Sequence, residues 1–232
     1  MFVKQLKYST DNLGYLLYSA NEAIAIDAGA VQETIYFAKK NRIKIKYLTN
    51  THSHHDHTSG NKEMLQKTDA RFIDCTKIKS DEKISLDEEI LNIIFTPGHT
   101  DDSITFQADD FLITGDTLFN GTIGNCFSGN LKAFFKSLKR LISFSKETRI
   151  YSGHDYVKES IQIARGIEKD NLYIHEYIKK YNPQLVVSLL GDELKVNPFL
   201  RFNTPGMINI LKKQNMPADT EFERFNSIME IF

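Results

Sequence analysis

The chain has 232 residues, of which 41% are hydrophobic and 25% are charged, and these ordinary globular values exclude a disordered or collagen-like protein. Its 29 basic and 30 acidic residues leave a formal net charge of −1, so the composition does not indicate a nucleic-acid-binding surface. The two cysteines, Cys75 and Cys126, lie far apart and outside any Cys-x-x-Cys motif. They indicate neither a zinc finger nor a disulfide framework, and free thiols fit a reducing cytosol.

Short apolar runs bounded by turn residues dominate the first part of the chain and predict strands. The predicted strands cover residues 2–8, 14–19, 23–26, 45–48, 84–86, 90–95, 103–106, 111–114 and 150–151. A helix is predicted over residues 31–41. This order of strands and helix favours layered α and β elements, that is, an α/β protein.

After residue 130 the apolar period becomes helical. Asn130 is a plausible N-cap for a helix with apolar residues at 131, 134, 135, 138, 141 and 142. Residues 157–181 also read as helical, with a predicted break near Asp170 and Asn171, and a proline-containing helical tail begins at about residue 183. We therefore divide the chain into a catalytic domain, residues 1–165, and a helical C-terminal domain, residues 166–232.

Four residues of metal-binding type, three histidines and an aspartate, fall within six positions that follow the predicted strand 45–48. They form the pattern His-x-His-x-Asp-His, with His52, His54, Asp56 and His57 at the specified positions. His52 and His54 are two residues apart, so an extended backbone directs both side chains to one face. Asp56 and His57 follow the turn and can approach from another side, so two groups of ligands could serve two metal ions.

Three further polar residues each follow an apolar strand through a small residue. They are His99 in Thr-Pro-Gly-His, Asp116 in Thr-Gly-Asp, and His154 in Ser-Gly-His. Side chains at strand ends project from a rigid edge, where sites are commonly built. We expect four strands to deliver five histidines and two aspartates to one edge.

Together these motifs resemble the metal-binding motifs of the metallo-β-lactamase superfamily, and the resemblance runs in order through most of the chain. It implies an αββα metallo-β-lactamase sandwich with a helical C-terminal extension. It also implies that one metal ion is held by His52, His54 and His99, that a second is held by Asp56, His57 and His154, and that Asp116 bridges them.

A narrower resemblance is to glyoxalase II, the hydroxyacylglutathione hydrolases. It rests on the segments TGDTLF (114–119), GHDY (153–156), ARGIEKDN (164–171) and ELKVNPFLR (193–201). The last segment lies outside the metal site and is similar to the Asn-Pro-Phe signature of that family's C-terminal domain. The resemblance implies substrate contacts at Asn125, Phe127 and Tyr156.

The sequence departs from this family where its members hold glutathione. Asn125 and Phe127 stand where the family commonly has a basic residue and a tyrosine, and Asn203 and Thr204 stand where it has basic residues. Tyr156 matches a family tyrosine that contacts the thiol. The metal chemistry is therefore supported, and the carrier thiol stays open.

The ligand types also indicate the cofactor. Five imidazoles and two carboxylates without a thiolate suit two divalent metal ions, with zinc favoured and iron or manganese as alternatives. Two ions about 3.5–4 Å apart can share a water and lower its pKa toward ~7, and the resulting hydroxide would attack a carbonyl carbon. We assign Asp56 and Asp116 as catalytic residues in this scheme.

A thiol leaving group has a pKa of ~8.5 and can leave unprotonated, which favours a thioester over an amide. We therefore expect hydrolysis of a 2-hydroxyacyl thioester such as S-lactoylglutathione. The alternatives are a persulfide dioxygenase, which would use only His52, His99 and Asp116, and a lactonase. Nucleic-acid processing and a purely binding role are disfavoured.

The expected partner is a small-molecule thioester, with no nucleic acid and no membrane. No window approaches the roughly 20 apolar residues that cross a bilayer, and the N-terminus lacks the apolar segment of a signal peptide. We therefore expect a cytoplasmic protein, of open oligomeric state.

Several polar residues have two interpretations. Asp27 either orients a ligand histidine or belongs to a turn. Tyr173, Tyr177 and Tyr181 form a stripe at helical spacing that favours helix packing over a substrate wall. Among the remaining residues of interest, His55 and Cys126 are expected to take no direct part in the chemistry.

Overall fold

The structure, a computed structural model, describes residues 1–232. Its strands are β1 (Phe2–Tyr8), β2 (Asn12–Tyr18), β3 (Glu22–Ile26), β4 (Lys44–Thr49), β5 (Arg71–Phe72), β6 (Glu82–Leu86), β7 (Glu89–Phe95), β8 (Ile104–Ala108), β9 (Phe111–Gly115), β10 (Arg149–Ser152) and β11 (Ser188–Leu189). They form a five-stranded sheet of order β1-β2-β3-β4-β5 and a six-stranded sheet of order β11-β10-β9-β8-β7-β6. Both sheets are mixed: β3 is parallel to β4 and β9 is parallel to β10, whereas the hairpins are antiparallel.

The helices are α1 (Val31–Lys40), α2 (His55–Thr58), α3 (Asn61–Lys67), α4 (Leu131–Leu141), α5 (Val157–Ile167), α6 (Tyr173–Lys180), α7 (Leu190–Val196), α8 (Pro205–Lys213) and α9 (Glu221–Ile231). As predicted, Asn130 caps α4, where its side chain accepts a hydrogen bond from the amide of Ala133. None of these helices combines the length and the apolar character needed to cross a membrane.

The two sheets pack face to face because side chains alternate along each strand. In β2, Tyr15 and Leu17 point into the core between the sheets, where Phe106 and Ile113 of the second sheet also lie. Leu16 points to the opposite face of the first sheet and packs in the cluster that contains residues of α1 and α3. The first sheet is therefore apolar on both faces.

The outer face of the second sheet is covered by helices from two parts of the chain. Leu112 and Ile150 of the sheet share one cluster with Phe134 of α4 and with Phe225 of α9. Helices thus lie on both outer surfaces, and the predicted αββα sandwich with a helical C-terminal extension is confirmed. The division at residue 165 stays a prediction.

The structure corrects details of the element prediction. β2 begins at Asn12 instead of residue 14. The break predicted near Asp170 and Asn171 is confirmed, because α5 and α6 are separated by residues 168–172. The strands β5 and β11 have only two residues each and were missed, because two residues carry no readable period.

Candidate metal centre

The seven candidate ligands lie at the ends of strands from both sheets. His52 and His54 follow β4 of the first sheet, and Asp56 and His57 lie on the short helix α2. The other three come from the second sheet and follow β7, β9 and β10 in turn: His99, Asp116 and His154. The structure therefore brings the predicted residues to a common edge at which the two sheets meet.

The first ligand cluster contains His52, His54, His99 and Asp116, whose ligand atoms all lie within 4.8 Å of one another. Nδ1 of His54 is 2.9 Å from Nε2 of His52 and 3.1 Å from Nε2 of His99. Oδ2 of Asp116 is 3.6 Å from Nε2 of His99. Three imidazole nitrogens and one carboxylate oxygen thus converge on one point, a donor set that suits a divalent transition metal.

The second ligand cluster contains Asp56, His57 and His154, also within 4.8 Å. Nε2 of His57 lies 3.2 Å from Nε2 of His154, and Oδ2 of Asp56 lies 3.3 Å from the same His154 atom. Asn12 holds this carboxylate by donating a hydrogen bond of 2.8 Å from its amide.

Asp116 lies between the two clusters. Its Oδ1 is 3.3 Å from Nε2 of His57, and its Oδ2 is 3.5 Å from Nε2 of His154. Oδ1 is buried and receives no hydrogen bond. A buried carboxylate oxygen without a donor is costly unless a cation binds it, so this atom fits a bridging position between two metal ions.

The outward nitrogens of the imidazoles have oxygen partners. Nδ1 of His57 is 2.9 Å from Oδ2 of Asp27, Nδ1 of His154 is 2.8 Å from Oδ1 of Asp11, and Nδ1 of His99 is 2.9 Å from the carbonyl of Asn125. Carboxylates and carbonyls only accept, so each Nδ1 carries the proton. Nε2 is therefore the nitrogen of each of these imidazoles that would bind a metal ion.

Burial and charge act in opposite ways on these imidazoles. Burial, reinforced by the neighbouring His57, lowers the pKa of His52 to about 2. Burial also opposes charge on His57, but the carboxylates of Asp27 and Asp116 outweigh it and raise the pKa of His57 well above its usual range. The first cluster thus presents a neutral ligand, and the second is an environment that stabilises positive charge.

Gly153 and Gly124 allow the chain to approach Asp116 closely. A Cβ at Gly153 would lie 2.1 Å from Oδ1 of Asp116, and a Cβ at Gly124 would lie 1.9 Å from its carbonyl oxygen. Both distances are shorter than any real contact, so a larger residue at Gly153 would displace the Asp116 carboxylate and one at Gly124 would displace the Asp116 backbone.

Asp27 orients a ligand histidine, the first of its two interpretations, through its contact with His57. It is fully buried and accepts hydrogen bonds from the amide of Thr51 at 2.8 Å and from the hydroxyl of Thr51 at 2.7 Å, in addition to that from His57. The hydroxyl of Thr51 is in turn 3.1 Å from Nδ1 of His52. One carboxylate therefore supports a histidine of each cluster.

Sequence reasoning missed Asp11, which lies between β1 and β2 and contacts His154, and Asn12, which begins β2 and contacts Asp56. Their only local signal is a polar pair between two strands, which is typical of any hairpin turn. Their function depends on contacts with residues far away in the sequence.

The three predicted substrate residues lie beside the ligands. The Phe127 ring is 66% exposed, and its centroid lies 5.6 Å from that of His54 and 5.3 Å from that of His99. The Tyr156 ring stacks on His154 with centroids 4.9 Å apart. Asn125 contributes its backbone carbonyl to His99, and its side chain is exposed.

The remaining candidates lie outside the clusters. His55 is exposed, and the half-buried Cys126 thiol lies 3.6 Å from the hydroxyl of Ser128. In the tyrosine stripe, Tyr177 is buried in the core between the sheets, whereas the Tyr181 hydroxyl donates to Asp155.

The chain is similar to known proteins along most of its length. The profile of the Metallo-beta-lactamase superfamily matches residues 12–79 and 72–154, and the profile named Hydroxyacylglutathione hydrolase C-terminus matches residues 155–230. Hydroxyacylglutathione hydrolase 1 of Vibrio vulnificus is 32% identical, covering 94% of this chain and 95% of the relative.

One further relative and one solved structure are similar to the chain. The Hydroxyacylglutathione hydrolase of Chromohalobacter salexigens is 30% identical over 90% of each chain. The crystal structure of ETHE1 from Myxococcus xanthus superposes with a TM-score of 0.70 at 22% identity, covering 98% of this chain and 100% of that one. The last comparison shows a shared fold.

Proposed function

Because the chain belongs to the hydroxyacylglutathione hydrolase family of the metallo-beta-lactamase superfamily, and is thus a metal-dependent hydrolase, we propose that it cleaves a 2-hydroxyacyl thioester. The observation that carries this proposal is the pair of ligand clusters joined by Asp116. His52, His54 and His99 would hold one divalent ion, Asp56, His57 and His154 a second, and Asp116 would touch both.

Zinc is the metal we favour for both positions, since imidazole and carboxylate ligands without thiolate suit it, with iron or manganese as alternatives. Ions bound at such a centre supply a water nucleophile with its pKa lowered toward ~7 and polarise the carbonyl oxygen under attack. The chain itself fixes the ligand geometry through Asp27, Asp11 and the carbonyl of Asn125.

Two carboxylates are the catalytic residues of the proposal. Asp116 contacts histidines of both clusters, and its side chain is only 9% exposed. The Asp56 side chain is 46% exposed, so it faces the solvent from which a substrate would enter. A thiolate with a pKa of ~8.5 departs without a proton, and the site therefore needs no separate acid for a thioester.

Phe127 and Tyr156 provide the walls for the substrate. Phe127 stands over the first cluster and Tyr156 over the second, so an acyl group held at the metal centre would lie between two aromatic rings. Burial raises the pKa of Tyr156 to about 12. Its phenol is therefore protonated at neutral pH and can donate a hydrogen bond to the sulfur or carbonyl of a thioester.

The carrier thiol is the part of the substrate least determined by the chain. Asn203, which replaces a basic residue of glyoxalase II, donates to Glu221 and accepts from Arg224 at 2.7 Å. Lys139 lies 2.8 Å from the same Glu221. The nearby cations are thus paired within the protein, and glutathione is one of several carriers to be tested.

A persulfide dioxygenase would require only His52, His99 and Asp116. The structure also brings Asp56, His57 and His154 within 4.8 Å of one another and holds them with Asn12, Asp27 and Asp11. A second cluster supported in this way favours the hydrolase over the dioxygenase.

The deciding experiment is thiol release from S-lactoylglutathione by protein whose metal content has been measured. We expect turnover with about two ions per chain, and S-lactoyl-N-acetylcysteamine, which lacks the carboxylates of glutathione, tests the carrier. If the protein cleaved S-lactoyl-N-acetylcysteamine and left S-lactoylglutathione intact, glutathione would not be the carrier thiol. Oxygen uptake on a persulfide or cleavage of a lactone, with both thioesters intact, would overturn the proposal.

The substitution Tyr156→Phe removes the phenol and keeps the ring that stacks on His154. We expect KM for the thioester to rise about 10-fold, corresponding to one lost hydrogen bond of ~1.4 kcal/mol, with unchanged metal content. Steady-state kinetics and elemental analysis check this result. Loss of metal with unchanged KM would show that Tyr156 supports His154 instead of the substrate.

A further inference from the structure

Helix α7 of the C-terminal extension carries a fully buried carboxylate, Glu193. Its oxygens accept four hydrogen bonds, from the Tyr177 hydroxyl at 2.5 Å, the Ser188 hydroxyl at 2.6 Å, the Gly121 amide at 2.8 Å and the Asn197 amide group at 3.3 Å. Burial raises the pKa of Glu193, and these donors act against burial. Burying a carboxylate costs free energy, and here four donors offset that cost. This arrangement indicates that Glu193 has a specific structural role.

The hydrogen bonds continue from Glu193 toward the metal centre. Ser188 accepts from the Asn120 side chain at 2.7 Å, and Oδ1 of Asn120 lies 2.8 Å from the Ser152 hydroxyl. The same hydroxyl lies 2.8 Å from the carbonyl oxygen of His154, so its single proton is shared between two acceptors. We call the series Glu193, Ser188, Asn120, Ser152 the polar relay, and it ends on the backbone of a ligand of the second cluster.

Helix α7 also holds the loop that follows Asp116. Glu193 accepts from the amide of Gly121, and the Asn197 side chain donates to the carbonyl of Thr122 at 2.8 Å. This loop begins at the bridging residue Asp116 and returns to it at Gly124. The C-terminal segment therefore contacts the surroundings of both Asp116 and His154.

We propose that Glu193 is a positioning residue that, through the polar relay and the loop after Asp116, sets the affinity of the second cluster for its metal ion. The inference rests on the proposed two-metal centre, and it adds that the C-terminal extension influences how tightly this centre binds metal. None of the relay residues touches a metal or a substrate in this arrangement. They act by keeping Nε2 of His154 and Oδ1 of Asp116 directed into the second cluster.

The expected effect is moderate because other contacts also hold the His154 turn. Gly153 accepts from the amide of Leu13 at 2.8 Å, and Asp11 holds the ring itself. Replacing a partner that orients a metal ligand typically costs 10–100-fold in affinity. We therefore expect a loss of about 10-fold for the relay.

The test titrates the metal-free full-length protein with Co²⁺ and follows its absorption spectrum, with a competing chelator to resolve the two affinities. The variants are Glu193→Gln, which offers one acceptor oxygen in place of two, and Ser152→Ala and Ser188→Ala, which break the relay by single hydroxyls. Ser188→Thr restores a hydroxyl. The control is Ser227→Ala. Ser227 lies on helix α9, is also buried, and donates to the backbone carbonyl of Pro217.

We expect the relay variants to bind the first Co²⁺ as wild type does and the second about 10-fold more weakly, with rescue by Ser188→Thr and no change in Ser227→Ala. Unchanged binding of both ions in relay variants that fold would overturn the inference, even where their thermal stability falls. If Glu193→Gln does not fold, the serine variants decide. Uptake of fewer than two ions by the wild-type protein would overturn the two-metal centre itself.

Discussion

Replacing Asp116 by alanine is expected to reduce the metal content from two ions to at most one per chain and to abolish turnover. The carboxylate lies between the clusters, with its oxygens 3.3 Å from Nε2 of His57 and 3.6 Å from Nε2 of His99. In the proposed two-metal centre, this substitution would remove the ligand shared by the two positions and, with it, the place of the activated water. We expect kcat/KM to fall by at least about 10³-fold.

Elemental analysis and thiol release measured on the same samples check this result. Asp69→Ala is the matched control, because Asp69 is an exposed aspartate away from both clusters. A third variant, Asp116→Asn, keeps one oxygen ligand and should retain part of the metal. If Asp116→Ala bound two ions and kept its activity, the bridging role would be wrong.

The second large effect is expected for Asp27→Asn, which keeps the shape of a fully buried side chain and removes its charge. In wild type the His57 Nδ1 proton faces Oδ2 of Asp27 at 2.9 Å. An amide nitrogen at that place would donate to Nδ1 and shift the proton to Nε2, where the metal ion binds. We expect the second ion to bind 10–100-fold more weakly.

Stability is expected to fall in the same variant. The Asp27 carboxylate also accepts from the amide and hydroxyl of Thr51, so the amide leaves at least one buried donor without an acceptor. The cost in the free energy of unfolding is about 1–3 kcal/mol, which urea denaturation of the metal-free protein measures.

Asp87→Asn is the control for the backbone at this position. Asp87 and Asp27 both adopt a φ of 49°, a left-handed conformation that asparagine tolerates. Asp87 binds the amides of Asn21 and Glu22 and lies in another turn. If Asp27→Asn bound metal as tightly as the control does, Asp27 would have no role in metal binding.

Long periodic elements were predictable from the sequence, and contacts between distant elements were not. The capped helix α4 and the strand β1 follow from local residue patterns. The two-residue strand β11, in contrast, depends on packing against the second sheet, where it pairs with β10. Such packing involves residues that no local window contains.

By itself the sequence determined the type of site, because metal ligation needs particular side chains at fixed short spacings after a strand. His52, His54, Asp56 and His57 satisfy this requirement within six residues. It also determined the superfamily, because the remaining ligands each follow a strand in the same order.

Only the tertiary structure decided how these ligands are divided between two sheets and which residues orient them. Asp11 reaches His154 across 143 positions of the chain, and Glu193 reaches Gly121 across 72. A hydrogen bond between distant segments leaves no spacing in the sequence, since its two partners meet only when the sheets pack and the C-terminal helices cover them. The orientation of the ligands is therefore a property of the folded chain as a whole.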